Sequence, residues 1–546
     1  MYNYNMLKNN LTQKDYTTIS HSYQLKLPFE IDCIIPNNDS VRLLSQFIEE
    51  MNLEKLYQTY SRITENQVTP RQMLKIMVYG YMNSIYSSRK VESACKRDIN
   101  FMYLLEGKPA PDHSTIARFR SCHFAPVSKD IMANMTDLLS ECGEISFESL
   151  FIDGTKIESA ANKYTFVWKK SVDKNLKKMM DKIPNFVAKA EELFGIRVIY
   201  NDKIELRHLK KLRKKLKKIQ HEEGIEFVHG TGKRKTILQK TVEELEEYID
   251  RFKKYVNQLY LCGDRNSYSK TDPDATFMRM KEDSMKNGQL KPAYNLQVGV
   301  DSEYVTWVTV GPQRTDTTTL PGFLDEVKEY TGRTYKNIVA DSGYESEENY
   351  IYLESNNQLS FIKPANYEIS KTKKFKTDIS RKENMEYNAQ DDYYICKNGR
   401  KLLASGQRKV KSKTGYETVK TIYICESCCD CPYKAKCIKG NNCKTPLEER
   451  TKRLEISKVF QEKREDSLEN IISDEGIMLR VNRSIQAEGA FAYIKGDMEF
   501  RRFLTRGTKN VLAESILLAM SHNVNKMHHK IQNDRCASHL YDIKVA

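Results

Sequence analysis

Apolar positions along this 546-residue chain recur with two different periods, and the places where the period changes mark its parts. From about 40 to 145 the spacing is helical. Leu43, Leu44, Phe47, Ile48 and Met51 share one helix face. Met73, Leu74, Ile76, Met77, Tyr79 and Tyr81 form a second apolar segment behind Thr69-Pro70, a cap with proline at the first turn. Between about 165 and 262, Leu238, Val242, Leu245, Ile249, Phe252, Val256 and Leu259 alternate steps of four and three, and Leu209, Leu212, Leu216 and Ile219 keep the same spacing. A connector from Gly224 to Gly232 joins these runs, which predicts an antiparallel coiled-coil hairpin inserted in the chain.

Beyond the insertion the pattern turns to strands. Residues 293–301 and 305–310 predict a β-hairpin across Ser302-Glu303-Tyr304. A helix from about Leu320 to Tyr330, a strand ending at Ala340, a helix from about Ser346 to Glu354 and a strand from Leu359 to Lys363 follow. With the earlier strand at Phe151–Asp153, these elements make a mixed α/β core over 146–365, interrupted by the insertion at 165–262. A second, Cys-rich insertion occupies 366–470, and helices of 471–530 complete the core. An arm of 1–39 and a tail of 531–546 flank these parts, and the helical region at 40–145 stands as a domain before the core.

Two of the strand-like runs end on an aspartate. Phe151-Ile152-Asp153-Gly154-Thr155 and Ile338-Val339-Ala340-Asp341-Ser342-Gly343-Tyr344 each set a carboxylate before a Gly or Ser-Gly turn, at a strand's exit, where sites of mixed α/β folds gather. A third acid, Glu488, lies in a helical stretch from Ala487 to Lys495, and Lys495, seven positions on, returns to its face. Asp272, Asp274, Asp301 and Asp316 are rival carboxylates in turns or at caps. Glu499, with Arg506 seven positions downstream, is the runner-up to Glu488.

The ordered trio Asp153, Asp341 and Glu488 resembles the DDE motif of bacterial insertion-sequence transposases with an RNase H-like catalytic domain. The resemblance spans the helical N-terminal region, both Asp segments, the run Ser269 to Ala275, and the helix with Glu488 and Lys495. It implies an RNase H-like sheet with Asp153 and Asp341 on adjacent central strands, and a helical domain that binds terminal repeats. It also implies a catalytic set of Asp153, Asp341, Glu488 and Lys495, whose three carboxylates suit two Mg2+ or Mn2+ ions. The implied chemistry is hydrolysis at the element's end, then attack of the freed 3′ hydroxyl on target DNA, by a homodimer that brings two ends together. A metal-dependent nuclease without strand transfer and a non-catalytic DNA-binding relative are the alternatives. Related transposases often carry Y-x2-R-x3-E-x6-K; here Glu488 and Lys495 fit, whereas Val481 and Ser484 fill the Tyr and Arg slots. Arg480 and Arg483 stand nearby, and at about 100° per residue Arg480 falls closer to the Glu488 face, as a phosphate-contacting partner.

Charge agrees with such a partner. The chain has 88 Lys and Arg against 73 Asp and Glu, a net +15 that favours double-stranded DNA over an acidic small molecule. Arg118 and Arg120, on a helix that begins near Ser114-Thr115, and Lys214, Lys215, Lys217 and Lys218, on the basic arm of the hairpin, are the DNA-binding candidates. No run of about 18 apolar residues appears and the start lacks a signal-peptide layout, so the expectation is a cytoplasmic, nucleoid-associated protein away from membranes. Of 13 cysteines, six crowd between Cys425 and Cys443. Cys425-x2-Cys428 with Cys431-x5-Cys437 predicts a structural Zn2+ site, on the ground that this insertion holds few large apolar residues with which to build its own core.

Overall fold

A computed structural model describes residues 34–542 apart from 63–66, 202, 231, 281–287, 441–442 and 444; the predicted arm lies outside the described residues up to position 33, and the tail from 543. The strands of the first part are β1 (Ser149–Glu158), β2 (Phe166–Trp168), β3 (Ser267–Ser269), β4 (Thr276–Arg279), β5 (Leu290–Asp301), β6 (Tyr304–Gly311), β7 (Asn337–Ala340) and β8 (Leu359–Ile362). Six of them make a mixed sheet. β1 lies at its centre, antiparallel to β5 and parallel to β7, and β8 continues the parallel side. β6, with the short β4, pairs β5. β1, β5 and β7 are almost wholly buried, as expected of strands covered on both faces. The β5–β6 hairpin turns on Ser302 and Glu303, both at positive φ, the twist that matches the flanking strands.

The helices of the N-terminal region share one hydrophobic core with the sheet. Thr69 caps the helix Pro70–Met82 in a capping box with Gln72, with the proline at its first position. This helix packs on the C-terminal helix Thr508–Gln532, where Ser521 Oγ donates to Val78 O at 2.9 Å. The helix Ala125–Glu141 reaches the sheet itself, Thr136 Oγ1 donating to Thr306 O at 2.9 Å. No described helix is long and apolar enough to cross a membrane.

The first insertion differs from the predicted hairpin. It holds three helices, Lys169–Phe194, Leu206–Glu222 and Ile237–Cys262, around a core of their own. Both predicted runs are helical, and Leu209, Leu212 and Leu216 bury against Leu238, Val242, Leu245 and Ile249. The unforeseen first helix is rich in lysine and carries Pro184 inside, two features that hide the Met179, Ile183, Val187 and Ala190 stripe.

The second insertion is a five-stranded antiparallel sheet of β9 (Glu386–Asn388), β10 (Tyr393–Ile395), β11 (Lys401–Lys411), β12 (Glu417–Cys425) and β13 (Arg453–Ile456), in the order β13-β12-β11-β10-β9. The Tyr394 and Tyr423 segments do not pair with each other, because β11 lies between them. β11 is exposed along most of its length, so no alternation announces it. The turn joining β11 to β12 is anchored on the helix Glu347–Ser355, Tyr416 Oη donating to Glu347 at 3.0 Å and Thr414 Oγ1 to Glu348 at 2.6 Å.

Candidate active site

Asp153 is not at the end of its strand. β1 runs on to Glu158, paired with β5 throughout, but its pairing with β7 stops at Ile152 opposite Ala340. Asp153 and Asp341 are the next residues on the two strands, so the site opens where β7 leaves the sheet. There the chain turns sharply: Asp341 caps a short turn, its Oδ1 accepting from Gly343 N at 2.8 Å. Asp153 is mostly buried and its Oδ1 accepts from Gly154 N, also at 2.8 Å.

Glu488 arrives from a helix that changes its winding. The α-helix Asp474–Arg483 passes into a π-helical turn at Ser484–Glu488, returns to α at Gly489–Ala492 and winds as π again at Tyr493–Asp497. Five residues make about one π turn, so Arg483 comes to lie over Glu488, and Arg483 Nη2 donates to Glu488 Oε1 at 2.7 Å. Asp153, Asp341, Glu488, Arg483 and Lys495 then line one open cleft of about 360 Å3, with Gly154, Thr155 and Phe491 completing its wall. Three carboxylates and two cations from three distant chain segments can bind a phosphodiester and the cations that accompany it.

Comparisons with known proteins give this assembly a family. Residues 395–528, which include Glu488 and Lys495, match the family described as "Transposase DDE domain", and residues 29–122 match "Transposase domain (DUF772)". The two matches indicate a DDE-type transposase of an insertion-sequence family. No curated protein and no solved structure matches it.

Transposases of this class generally use divalent metal ions. The donor set of this cleft suits Mg2+ or Mn2+, hard cations that take carboxylate oxygens. Among the described residues, however, no three Asp, Glu, His or Cys side chains stand close enough to hold one ion. The carboxylate of Glu488 is half exposed and turned to Arg483, so ion binding would require it to exchange that partner.

Of the rival carboxylates, Asp272 accepts from Ser159, Tyr294 and Gly507, Asp274 from Thr508, and Asp301 from Phe147 and Ser302; each fastens a turn or a helix start. Asp316 is different and lies beside the turns that follow Asp153 and Asp341. The sequence signal for it is only its place after the β6 strand.

The remaining candidates fare unequally. Arg480, preferred on α-helical geometry, stands over the Tyr367 ring at 5.4 Å and does not line the cleft, whereas Arg483 does; the π turn is the reason. Arg118 is exposed on the helix His113–Arg118, which Asp112 rather than Ser114 caps, accepting from Thr115 N at 2.7 Å. Arg120 is buried in the core near Tyr81 and Glu514, away from any DNA surface. Lys217 pairs with Glu246 at 2.9 Å, Lys218 with Glu222 at 3.1 Å, and Lys215 donates to Arg197 O at 2.6 Å. Lys214 is exposed on the same helix.

Among the described residues, Cys425, Cys428, Cys431 and Cys437 do not stand together as a metal-binding group. Cys425 is the last residue of β12 and packs inward with Met385, Tyr394, Leu402, Tyr423 and Ile456. Burial, with Cys428 beside it, pushes its thiol up to about 12. Cys428 and Cys431 are half-buried in the loop beyond, and Cys437, also half-buried, ends the short helix Lys434–Cys437. The apolar core whose supposed lack argued for metal is present in the sheet.

Proposed function

We propose that this transposase binds the ends of its insertion sequence, hydrolyses a phosphodiester bond there, and joins the freed 3′ hydroxyl to target DNA. The supporting observation is the convergence of Asp153, Asp341, Glu488, Arg483 and Lys495 on one cleft at the point where the mixed sheet opens between β1 and β7. Asp153, Asp341 and Glu488 would hold the divalent ions, which when bound activate the attacking hydroxyl and stabilise the departing 3′ oxygen. Lys495 and Arg483 neutralise the phosphate and orient it toward the carboxylates. Arg483, which pairs with Glu488, takes up phosphate charge once it is released from that acid. Arg118 and the first insertion's Lys214 and Lys215 contact the DNA backbone away from the cleft. Two ends must be held together for joining, which calls for a homodimer in a synaptic complex.

Asp153→Asn, Asp341→Asn and Glu488→Gln keep side-chain size while removing charge. Each is expected to abolish Mg2+-dependent cleavage of an end-containing duplex while leaving binding of that duplex intact. Supplying a pre-cleaved end with a free 3′ hydroxyl should give joined product with the wild-type protein. Cleavage without joining would instead make it a nuclease, and full activity of the variants would remove the cleft from the mechanism.

A further inference from the structure

Asp316 belongs to none of the three carboxylates, yet it touches the surroundings of two of them. Asn295 and Gln297, two apart on β5 and therefore on one face, are both buried, and both donate to Asp316 Oδ1, at 2.7 and 2.8 Å. Gln297 stands opposite Gly154 in the β1–β5 register, directly after Asp153. A Cβ at Gly154 would lie 2.6 Å from Gln297 Nε2 and 2.8 Å from Asp316 Oδ1, so the carboxylate rests against the backbone beside Asp153. On its other side, a Cβ at Gly343 would lie 2.9 Å from Asp341 Oδ1 and 3.5 Å from Asp316 Oδ2. Tyr344 closes the circuit, its hydroxyl donating to Gln297 Oε1. Burial, with Asp316, Asp153 and Asp341 nearby, pushes that phenol far up, so it remains a donor.

We propose that Asp316 is a positioning residue of the carboxylate site, fixing the β1 and β7 ends so that Asp153 and Asp341 can share cations; this rests on the catalytic reading of the cleft. A direct ligand role fits less well. Asp316 Oδ1 already accepts two amide hydrogens, and the side chain does not line the cleft. Its action passes through Gln297, Gly154 and the Asp341 turn, as a supporting partner acts on the groups that bind metal.

The test is Mn2+ binding by titration calorimetry on the full chain without DNA, together with the Mg2+ dependence of cleavage. Asp316→Ala removes the acceptor and should weaken Mn2+ binding by about 10–100-fold, with a matching rise in the Mg2+ needed for cleavage and unchanged end-duplex binding. Asp316→Asn keeps an oxygen that can accept both amides and should recover most of that loss. Should Asp316→Ala fail to fold, Gln297→Glu decides: it sets charge against charge at the same size and should weaken Mn2+ binding likewise. Wild-type Mn2+ affinity in Asp316→Ala, or in Gln297→Glu, overturns the proposal. So does an Asp316→Asn protein as impaired as Asp153→Asn, since that marks a ligand. Full cleavage by Asp153→Asn would overturn the catalytic reading itself, a separate failure.

Discussion

Arg483 Nη2 meets Glu488 Oε1 at 2.7 Å because the helix between them winds as π. On an α-helix, residues five apart would point about 140° away from each other. The π turn brings them onto one face, and such turns recur at functional sites because they re-aim side chains without ending the helix. Arg483→Gln should therefore lower cleavage sharply and raise the DNA concentration needed for half-maximal rate. Arg480→Gln, which removes only a cation over Tyr367, should leave both nearly unchanged. Equal losses in the two variants would deny Arg483 its special place.

The choice of third acid can be checked against its nearest rival. Glu499 follows the second π turn in a left-handed conformation and does not line the cleft. Glu499→Gln should cleave normally, whereas Glu488→Gln should not. The opposite result would show that the helix meets the sheet in another register.

Much of the site is legible in the chain because its parts are local signals. An apolar run that meets Asp-Gly or Asp-Ser-Gly marks a strand carrying a carboxylate, and Asp153 and Asp341 stand out in that way. That β1 continues past Asp153 is not legible, since it depends on β5 pairing with residues 153–158 after β7 has left. Arg483 escapes because helix arithmetic assumes a constant turn. Asp316 is one turn residue among several, and only the amides of Asn295 and Gln297, sequence-distant and otherwise ordinary, single it out. Arg120 looks like a DNA contact because burial of an arginine leaves no trace in a local pattern.

The basic arm of the first insertion has a measurable consequence. Replacing Lys214, Lys215, Lys217 and Lys218 with Gln would lower the salt slope by about 0.9 for each phosphate left without its cation. Lys217 and Lys218 already face Glu246 and Glu222, so the expected fall is about 1 to 2 rather than the full sum. An unchanged slope in end-binding titrations over a salt series would remove this arm from the DNA interface.

The Cys-rich sheet should not depend on metal for its fold. Its interior is supplied by Tyr394, Leu402, Tyr423 and Ile456, and Cys425 belongs to that interior. Prolonged EDTA treatment is expected to leave the thermal unfolding transition in place, while Tyr423→Ala, which opens a hole among buried rings, should lower stability by about 3–5 kcal/mol if the site cannot collapse. Loss of the transition on chelation would restore a structural zinc.

A buried histidine should make stability fall in mild acid. His522 lies on the helix Thr508–Gln532; its Nε2–H donates to Glu303 O at 3.1 Å, and its Nδ1 is buried without a partner. Burial pulls its pKa from 6.5 down to about 4, and the Lys526 ammonium opposes a second charge beside it. A protonated ring would carry that charge into the core, where the Glu303 carbonyl and the nearby Glu303 carboxylate offset only part of the cost of burial. The unfolded chain therefore binds a proton that the folded chain refuses between about pH 6.5 and 4. The stabilisation is complete above the upper limit and lost progressively as pH falls through this window, by at most about 3 kcal/mol. His522→Gln keeps a side-chain donor but cannot titrate, so the drop in melting temperature between pH 7.5 and 5.0 should be smaller in the variant than in the wild type. Equal drops in the two proteins would mean that the ring is solvated or already charged, and that the packing of this helix on the β5–β6 turn differs from that described.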